Sequence, residues 1–272
     1  MIVASDLDQT LIYSRRSMGE GHEESLLVPV EAKDGATLSY MTRQAVELLQ
    51  ELAGRLLFIP VTTRTVEQYR RVHLLQDVIR PKYAITSNGG NILVDGEVDA
   101  DWNRAIRLLV ADRSASAEQV RALFQQVATA EWVLNESFCD ELFFAYRIDR
   151  QRMPEQELRK IGEQLSAWGW EMSIQGRKVY LIPSVVSKRD ALLHLKEREG
   201  KDIHLATGDS LLDRCMLDAA VHAIAPRHGE LYRQEPSSYT YTQEAGILAA
   251  VEILQRAIDL LPNANGSAES RG

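Results

Sequence analysis

Short apolar runs that each end in polar residues recur along this chain, and that rhythm restricts its fold more than any other feature. Residues 2–4, 56–61, 83–86 and 203–206 are predominantly apolar and too brief for helices. The first run discharges into Asp6, Asp8 and Thr10, the second into Thr62, Thr63 and Arg64. The third leads into Ser87, Asn88, Gly89 and Gly90, the fourth into Thr207, Gly208 and Asp209 with Asp213 beyond. Helical patterns stand between them. One is capped by Thr42, carries Ala45, Leu48, Leu49 and Leu52 on one face, and stops at Gly54; another runs over 66–75, and Ser187 caps a third through 199. Strand and helix alternating, with polar residues after each strand, predict an α/β fold on a parallel sheet. In such sheets ligands sit at the carboxyl ends of the strands. Pro60 is awkward in a central strand because it donates no ladder bond.

From Ile92 the rhythm changes. Asp95-Gly96 marks a hairpin, helical patterns cover 101–111, 117–128 and 155–168, and strand-like segments fall at 132–135, 142–148, 171–174 and 179–182. Helices paired with consecutive hairpins predict a separate α+β module over 91–183, inserted in a discontinuous first unit of 1–90 and 184–262. Trp132, Trp168 and Trp170 are expected to pack that module. A second excursion comes earlier: a polar run over 13–24, then a hairpin turning at Lys33-Asp34-Gly35, expected to hang over the first strand end as a flap. A strand over 221–225 and a closing helix over 242–261 complete the pattern, and 263–272 is expected to be a disordered tail.

Asp6 and Asp8 carry the chemistry. Two carboxylates one residue apart, just past a buried strand, repel each other and each prefers water. Mg²⁺, a proton held by one acid, or both would relieve them. One division of labour keeps Asp6 ionised as a nucleophile while Asp8 holds a proton for a leaving group. The competing reading is an Asp-rich turn bonded to its own backbone. Lys188 stands in the first turn of its helix, where a cation opposes the macrodipole, so its position needs another reason.

The net charge of −8 argues against a general nucleic-acid binder but leaves room for a phosphorylated substrate, since a few local cations and a metal suffice. Cys139 and Cys215 lie far apart with no metal-binding spacing, as expected of free thiols in a reducing compartment. With a strand beginning at Ile2 and no run of about 20 apolar residues, neither a leader peptide nor a membrane span is expected, and the expected location is cytoplasmic.

In order and spacing, Asp6-x-Asp8-x-Thr10, Thr62, Lys188 and the Asp209/Asp213 loop resemble the four motifs of the haloacid dehalogenase (HAD) superfamily phosphatases. The insertion resembles the large α+β cap of the subgroup holding Cof-type sugar phosphatases, sucrose-phosphate phosphatase and mannosyl-3-phosphoglycerate phosphatase. Thr62-Thr63-Arg64 resembles that subgroup's Thr-Gly-Arg, Ser87-Asn88-Gly89-Gly90 its entry to the cap, and 186–192 its lysine helix. The resemblance implies a Rossmann-like parallel-sheet core with an inserted cap, and Mg²⁺-dependent hydrolysis of a small phosphomonoester, a sugar phosphate above all, through an aspartyl-phosphate. It further implies Asp6 as nucleophile, Asp8 as acid and base, Thr62 and Lys188 on the phosphoryl oxygens, and Mg²⁺ on Asp6, the Asp8 carbonyl, Asp209 and Asp213. Thr10, Arg64, Asn88 and Gly89 are expected substrate contacts, and Arg177, with Lys178 beside it on a cap hairpin, is expected to read the leaving group.

Three departures stand out: Gln9 and Thr63 replace glycines of the motifs, and Leu212 replaces the Asn that usually precedes the last Asp. A phosphotransferase or phosphomutase of the same superfamily, an aspartyl-phosphate switch and a non-catalytic scaffold are the alternatives. Neither substrate identity nor oligomeric state follows from these residues.

Overall fold

The computed structural model describes residues 1–262; the expected tail over 263–272 lies outside the described residues. In chain order the regular elements begin with β1 (Ile2–Ser5), the flap hairpin β2 (Leu27–Lys33) and β3 (Ala36–Thr42), α1 (Arg43–Arg55), β4 (Leu57–Pro60) and α2 (Val66–Arg70). Then come β5 (Tyr83–Thr86), β6 (Asn91–Val94), β7 (Glu97–Val98), α3 (Ala100–Arg113) and α4 (Ala117–Phe124). The middle of the chain forms β8 (Val133–Cys139), β9 (Phe143–Ile148), α5 (Glu155–Ala167), β10 (Trp170–Gln175) and β11 (Lys178–Pro183). The last part comprises α6 (Lys188–Glu199), β12 (Ile203–Thr207), α7 (Arg214–Leu217), β13 (His222–Ala225), α8 (Glu230–Gln234), β14 (Thr240–Tyr241) and α9 (Ile247–Asp259).

The fold is α/β, a parallel sheet with an α+β cap inserted in it. The sheet runs β14-β13-β12-β1-β4, every pair parallel, and a bridge from Val61 to Ile85 extends it toward β5. Successive residues face opposite layers: Val3, Phe58, Leu205 and Ile224 pack under α1 and α9, while Ile2, Ala4, Ile59 and Ala206 pack under α6 and α7. Helices on both faces explain why the runs are apolar almost throughout and do not alternate. Each fully buried Leu or Ile there contributes roughly 1.5–3 kcal/mol.

Pro60 fits because its missing N–H falls on the side away from β1. Val61 N donates to Ser5 O (2.7 Å), and the first bond toward β5 comes only at Thr62 N, to Ile85 O (2.8 Å). The expected helix over 66–75 breaks at Arg70 and resumes as a wide turn, Leu74–Ile79, ending in left-handed Arg80. The expected closing helix over 242–261 begins only at Ile247. The N–H groups of Gln243 and Glu244 are capped instead by the Glu252 carboxylate, and Gly246 turns the chain at φ 59°.

The cap sheet is antiparallel, ordered β10-β11-β9-β8. One face, with Phe144, Tyr146, Val179 and Leu181, packs against α4 and α5 together with Trp132 and Trp170. By strand alternation the other face carries Ala145, Arg147, Lys178 and Tyr180. It looks onto the carboxyl ends of β1 and β12.

The two chain crossings between the sheets touch. Gly89 has φ 101°, and a Cβ there would lie 2.1 Å from Ser187 O. Asn88 Nδ2 donates to Val186 O at 3.0 Å across the same crossing.

Candidate active site

Asp6 leaves the end of β1 with its N–H bonded to Thr207 O (2.9 Å), so β12 holds the first acid in place. Ser187 caps α6 and delivers Lys188 to the same point. Lys188 Nζ lies 2.8 Å from Asp6 Oδ1 and 2.6 Å from Asp213 Oδ1, and is 1% exposed. That contact is the reason for a cation at the wrong end of a helix. Burial alone would lower the Lys188 ammonium, but Asp213 and Asp6 outweigh it and hold the side chain protonated.

Asp213 is fully buried, and its second oxygen accepts from Ser210 N (3.0 Å) and Ser210 Oγ (2.7 Å). Asp213 therefore takes its polar partners from Ser210 and Lys188. Leu212, the residue that departs from the usual Asn, packs instead against the cap cluster around Ile106 and Phe143.

Carboxylate oxygens of Asp6, Asp209 and Asp213 lie within 4.8 Å of one another. Burial raises the Asp6 carboxyl; Lys188 opposes that, and Asp213 and Asp8 add to it, leaving it raised. Asp209 is raised well above its usual range by burial and then by Asp6 and Asp213. Burial is the larger cause, and three carboxylates sharing one lysine add to it. An all-oxygen donor set with surplus negative charge suits a hard divalent cation such as Mg²⁺.

Asp8 is arranged differently from the expectation that it holds a proton. Its side chain is 52% exposed, and Arg64 grips it bidentately, Nε to Oδ2 at 2.8 Å and Nη2 to Oδ1 at 2.9 Å. Burial pushes its carboxyl up, but the Arg64 ion pair wins and leaves it lowered to about 2. Arg64 in turn meets Glu31 of the flap, Nη1 to Oε1 at 2.8 Å and Nη2 to Oε2 at 2.9 Å. Glu31 is 3% exposed and accepts from Ser39 Oγ at 2.6 Å. The flap thus hangs over the acid as expected and brings a buried carboxylate with it.

A cleft of about 1050 Å³ joins Asp6, Asp8, Lys188, Asp209 and Ser210 on its floor to Arg147, Arg177, Lys178 and Tyr180 of the cap. Thr63 lines it, whereas Thr62 is 1% exposed behind it, its Oγ1 accepting from Arg64 N at 3.2 Å. Thr10 is buried, with Oγ1 3.4 Å from Asp6 Oδ2. Asn88 and Gly89, expected as substrate contacts, lie instead at the crossing between the sheets, away from this cleft. Their glycine and left-handed Asn (φ 57°) answer a steric demand made by Ser187. Gln9 also takes a left-handed backbone (φ 61°), held by bonds to its carbonyl from Tyr13 Oη (3.0 Å) and His228 Nε2 (2.9 Å). Glu31, Ser210 and Arg147 escaped the sequence reading.

An acid at a parallel-strand end touching a buried lysine, beside an acidic loop and beneath an inserted cap, defines a phosphatase of the HAD type. The chain belongs to the sucrose-6F-phosphate phosphohydrolase family, whose model matches residues 1–231. No curated protein sequence matches it. Among solved structures it is similar to the sucrose-phosphatase from Synechocystis in complex with sucrose and phosphate (18% identity, 95% of this chain and 98% of that one, TM-score 0.68). It is also similar to a haloacid dehalogenase-like hydrolase protein from Bacillus subtilis (17%, 94% and 91%, TM-score 0.56). A third similar fold is a HAD superfamily phosphatase from Bacteroides thetaiotaomicron (13%, 96% and 95%, TM-score 0.57). Among the described residues no helix is long and apolar enough to cross a membrane.

Proposed function

We propose that this chain hydrolyses a phosphorylated sugar or sugar-like metabolite through an aspartyl-phosphate on Asp6, with Mg²⁺ bound by Asp6, Asp209 and the Asp8 carbonyl, in the cytoplasm. The observation that carries the reading is the contact of Asp6 with Lys188 on the floor of a cleft roofed by the cap. Asp6 attacks phosphorus, and Lys188 offsets the charge on the phosphoryl oxygens. Asp8 gives a proton to the departing alkoxide, then takes one from the water that cleaves the acyl phosphate. The bound cation would supply charge neutralisation at the phosphoryl group. Asp213 acts chiefly by holding Lys188, since three of its acceptor positions are already used.

Asp8 can carry its proton at neutral pH only when Arg64 lets go, and Glu31 is the buried alternative partner that makes this affordable. Thr63 and Arg177 line the cleft and are assigned to the substrate. The free thiols Cys139 and Cys215 suit a reducing compartment. A separate cap within 91–183 is supported by packing, because the buried residues under the cap sheet run from Val120 to Leu181, whereas β6 at its start pairs with β5 and Ile92 packs with the core.

The test is phosphate release from sugar phosphates and p-nitrophenyl phosphate with Mg²⁺ or EDTA, alongside Asp6→Asn. Metal-dependent turnover lost in the variant supports the reading. Turnover that survives in Asp6→Asn, or none at all from folded protein with Mg²⁺, refutes it.

A further inference from the structure

The roof of the cleft carries positive charge that the chemistry on its floor does not use. Lys178 of β11 and Arg147 of β9 are direct register partners across an antiparallel pair, so their side chains leave the sheet on the same face, into the cleft. Like charges directly opposite each other destabilise a sheet. Arg177 adds a third cation from the adjoining turn. Among the described residues none of the three has a carboxylate within ion-pair distance, although the chain carries an excess of eight negative charges. Acids are plentiful, yet none has been placed there.

Two further facts fix where this charge acts. Lys178 Nζ sits 5.7 Å from the centre of the Tyr180 ring, a contact that holds the exposed ammonium over the cleft. Its charge also helps hold the Asp8 carboxyl down, so it lies beside the group assigned to the leaving oxygen. Asp8 does not neutralise it, because both Asp8 oxygens are gripped by Arg64. The phosphoryl group has Lys188 on the floor. A neutral sugar leaving group would bring nothing for Arg147 and Lys178 to pair with.

Resting on the phosphatase reading above, we propose that Arg147 and Lys178 bind a second anionic group on the substrate, a carboxylate or a further phosphate on the leaving group. The substrate class is then a sugar-like phosphomonoester whose alcohol product is itself an anion. The guanidinium and ammonium would each donate to that group, which relieves their mutual repulsion on binding.

Matched ligand pairs test this. Binding to Asp6→Asn, which retains the cleft, is measured by calorimetry for 6-phosphogluconate against the equally open-chain glucitol 6-phosphate, and for fructose 1,6-bisphosphate against fructose 6-phosphate. The first pair isolates an added carboxylate and the second an added phosphate. The expected result is tighter binding of the more anionic member of at least one pair by about 10-fold or more. Adding Arg147→Gln and Lys178→Gln should bring that ratio close to one. Both substitutions remove like-charge repulsion from a sheet surface, so the thermal midpoint should not fall. Equal affinities within both pairs, no binding of either added-anion ligand, or a ratio unchanged by the double substitution would overturn the proposal. Wild-type release of phosphate from p-nitrophenyl phosphate, run in parallel, reports on the phosphatase reading separately.

Discussion

Glu31 is the residue whose replacement most directly probes how the flap governs the acid. Its carboxylate meets Arg64 through two contacts, at 2.8 and 2.9 Å, with Glu31 3% and Arg64 12% exposed. Glu31→Gln keeps the shape and one acceptor but turns an amide toward a guanidinium that only donates. Breaking a buried ion pair from one side costs about 3–5 kcal/mol. Arg64 keeps its bidentate grip on Asp8, so the figure here should be lower, about 2–4 kcal/mol. In a protein of this size each kcal/mol moves the thermal midpoint by about 2–4 °C, which gives a drop of roughly 4–16 °C.

A double-mutant cycle with Arg64→Gln separates the pair from the general cost of each change. The expected coupling is at least about 1.5 kcal/mol, and a value below about 0.5 kcal/mol would refute the argument. A kinetic consequence accompanies it. With no Glu31 to accept it, Arg64 stays on Asp8, and turnover should fall by roughly tenfold or more as the acid is denied its proton.

Three further outcomes follow from the geometry. Lys188→Met leaves Asp6 and Asp213 buried with no cation between them, so phosphate release should fall at least about 100-fold and stability by about 3–5 kcal/mol, read by thermal unfolding. Gly89→Ala places a Cβ 2.1 Å from Ser187 O at φ 101°, and should lower the thermal midpoint by more than about 6 °C or abolish soluble protein; an unchanged midpoint would mean the two crossings are not in contact. His228 is lowered below its usual value by burial, donates from Nε2 to Gln9 O and accepts at Nδ1 from Gly246 N. The folded state thus disfavours its protonation, so the stability it contributes is full above about pH 6.5 and is lost as pH falls through the lower folded value. His228→Gln should therefore flatten the unfolding free energy measured between about pH 7.5 and 5 relative to the parent.

The parts of this site legible in the sequence are those set by local pattern. A buried strand must end somewhere, and Asp6 and Asp209 stand where two of them do. Lys188 was conspicuous because a cation in a first helical turn works against the helix. Glu31 was hidden for a physical reason. The pairing of β2 with β3 slips on either side of Glu31, so Val30 and Glu31 are buried in succession and a reading by alternation turns one of them outward. Asn88 and Gly89 were visible as a motif, but their purpose depends on where Ser187 passes, nearly a hundred residues on. Arg147 looked like any exposed strand residue until β11 placed Lys178 opposite it.

Charge balance ties these features together. Asp6, Asp209 and Asp213 against Lys188 leave the floor two negative charges in excess. At about 4 Å and an effective dielectric near 20, each like pair costs about 4 kcal/mol. One lysine touching two of the three acids cannot cancel that, and together with their burial, the larger cause, this makes Asp6 and Asp209 resist ionisation. A divalent cation would bring the floor to neutrality, and an incoming phosphoryl dianion would then be the uncompensated charge. Arg64 is engaged with Asp8 and Glu31, whereas among the described residues the roof's Arg147, Arg177 and Lys178 line the cleft without a carboxylate partner. On the proposals above, a ligand that spans floor and roof would be held at both ends by opposite demands, the floor needing a metal before it accepts phosphate and the roof needing an anion whether or not phosphate is there.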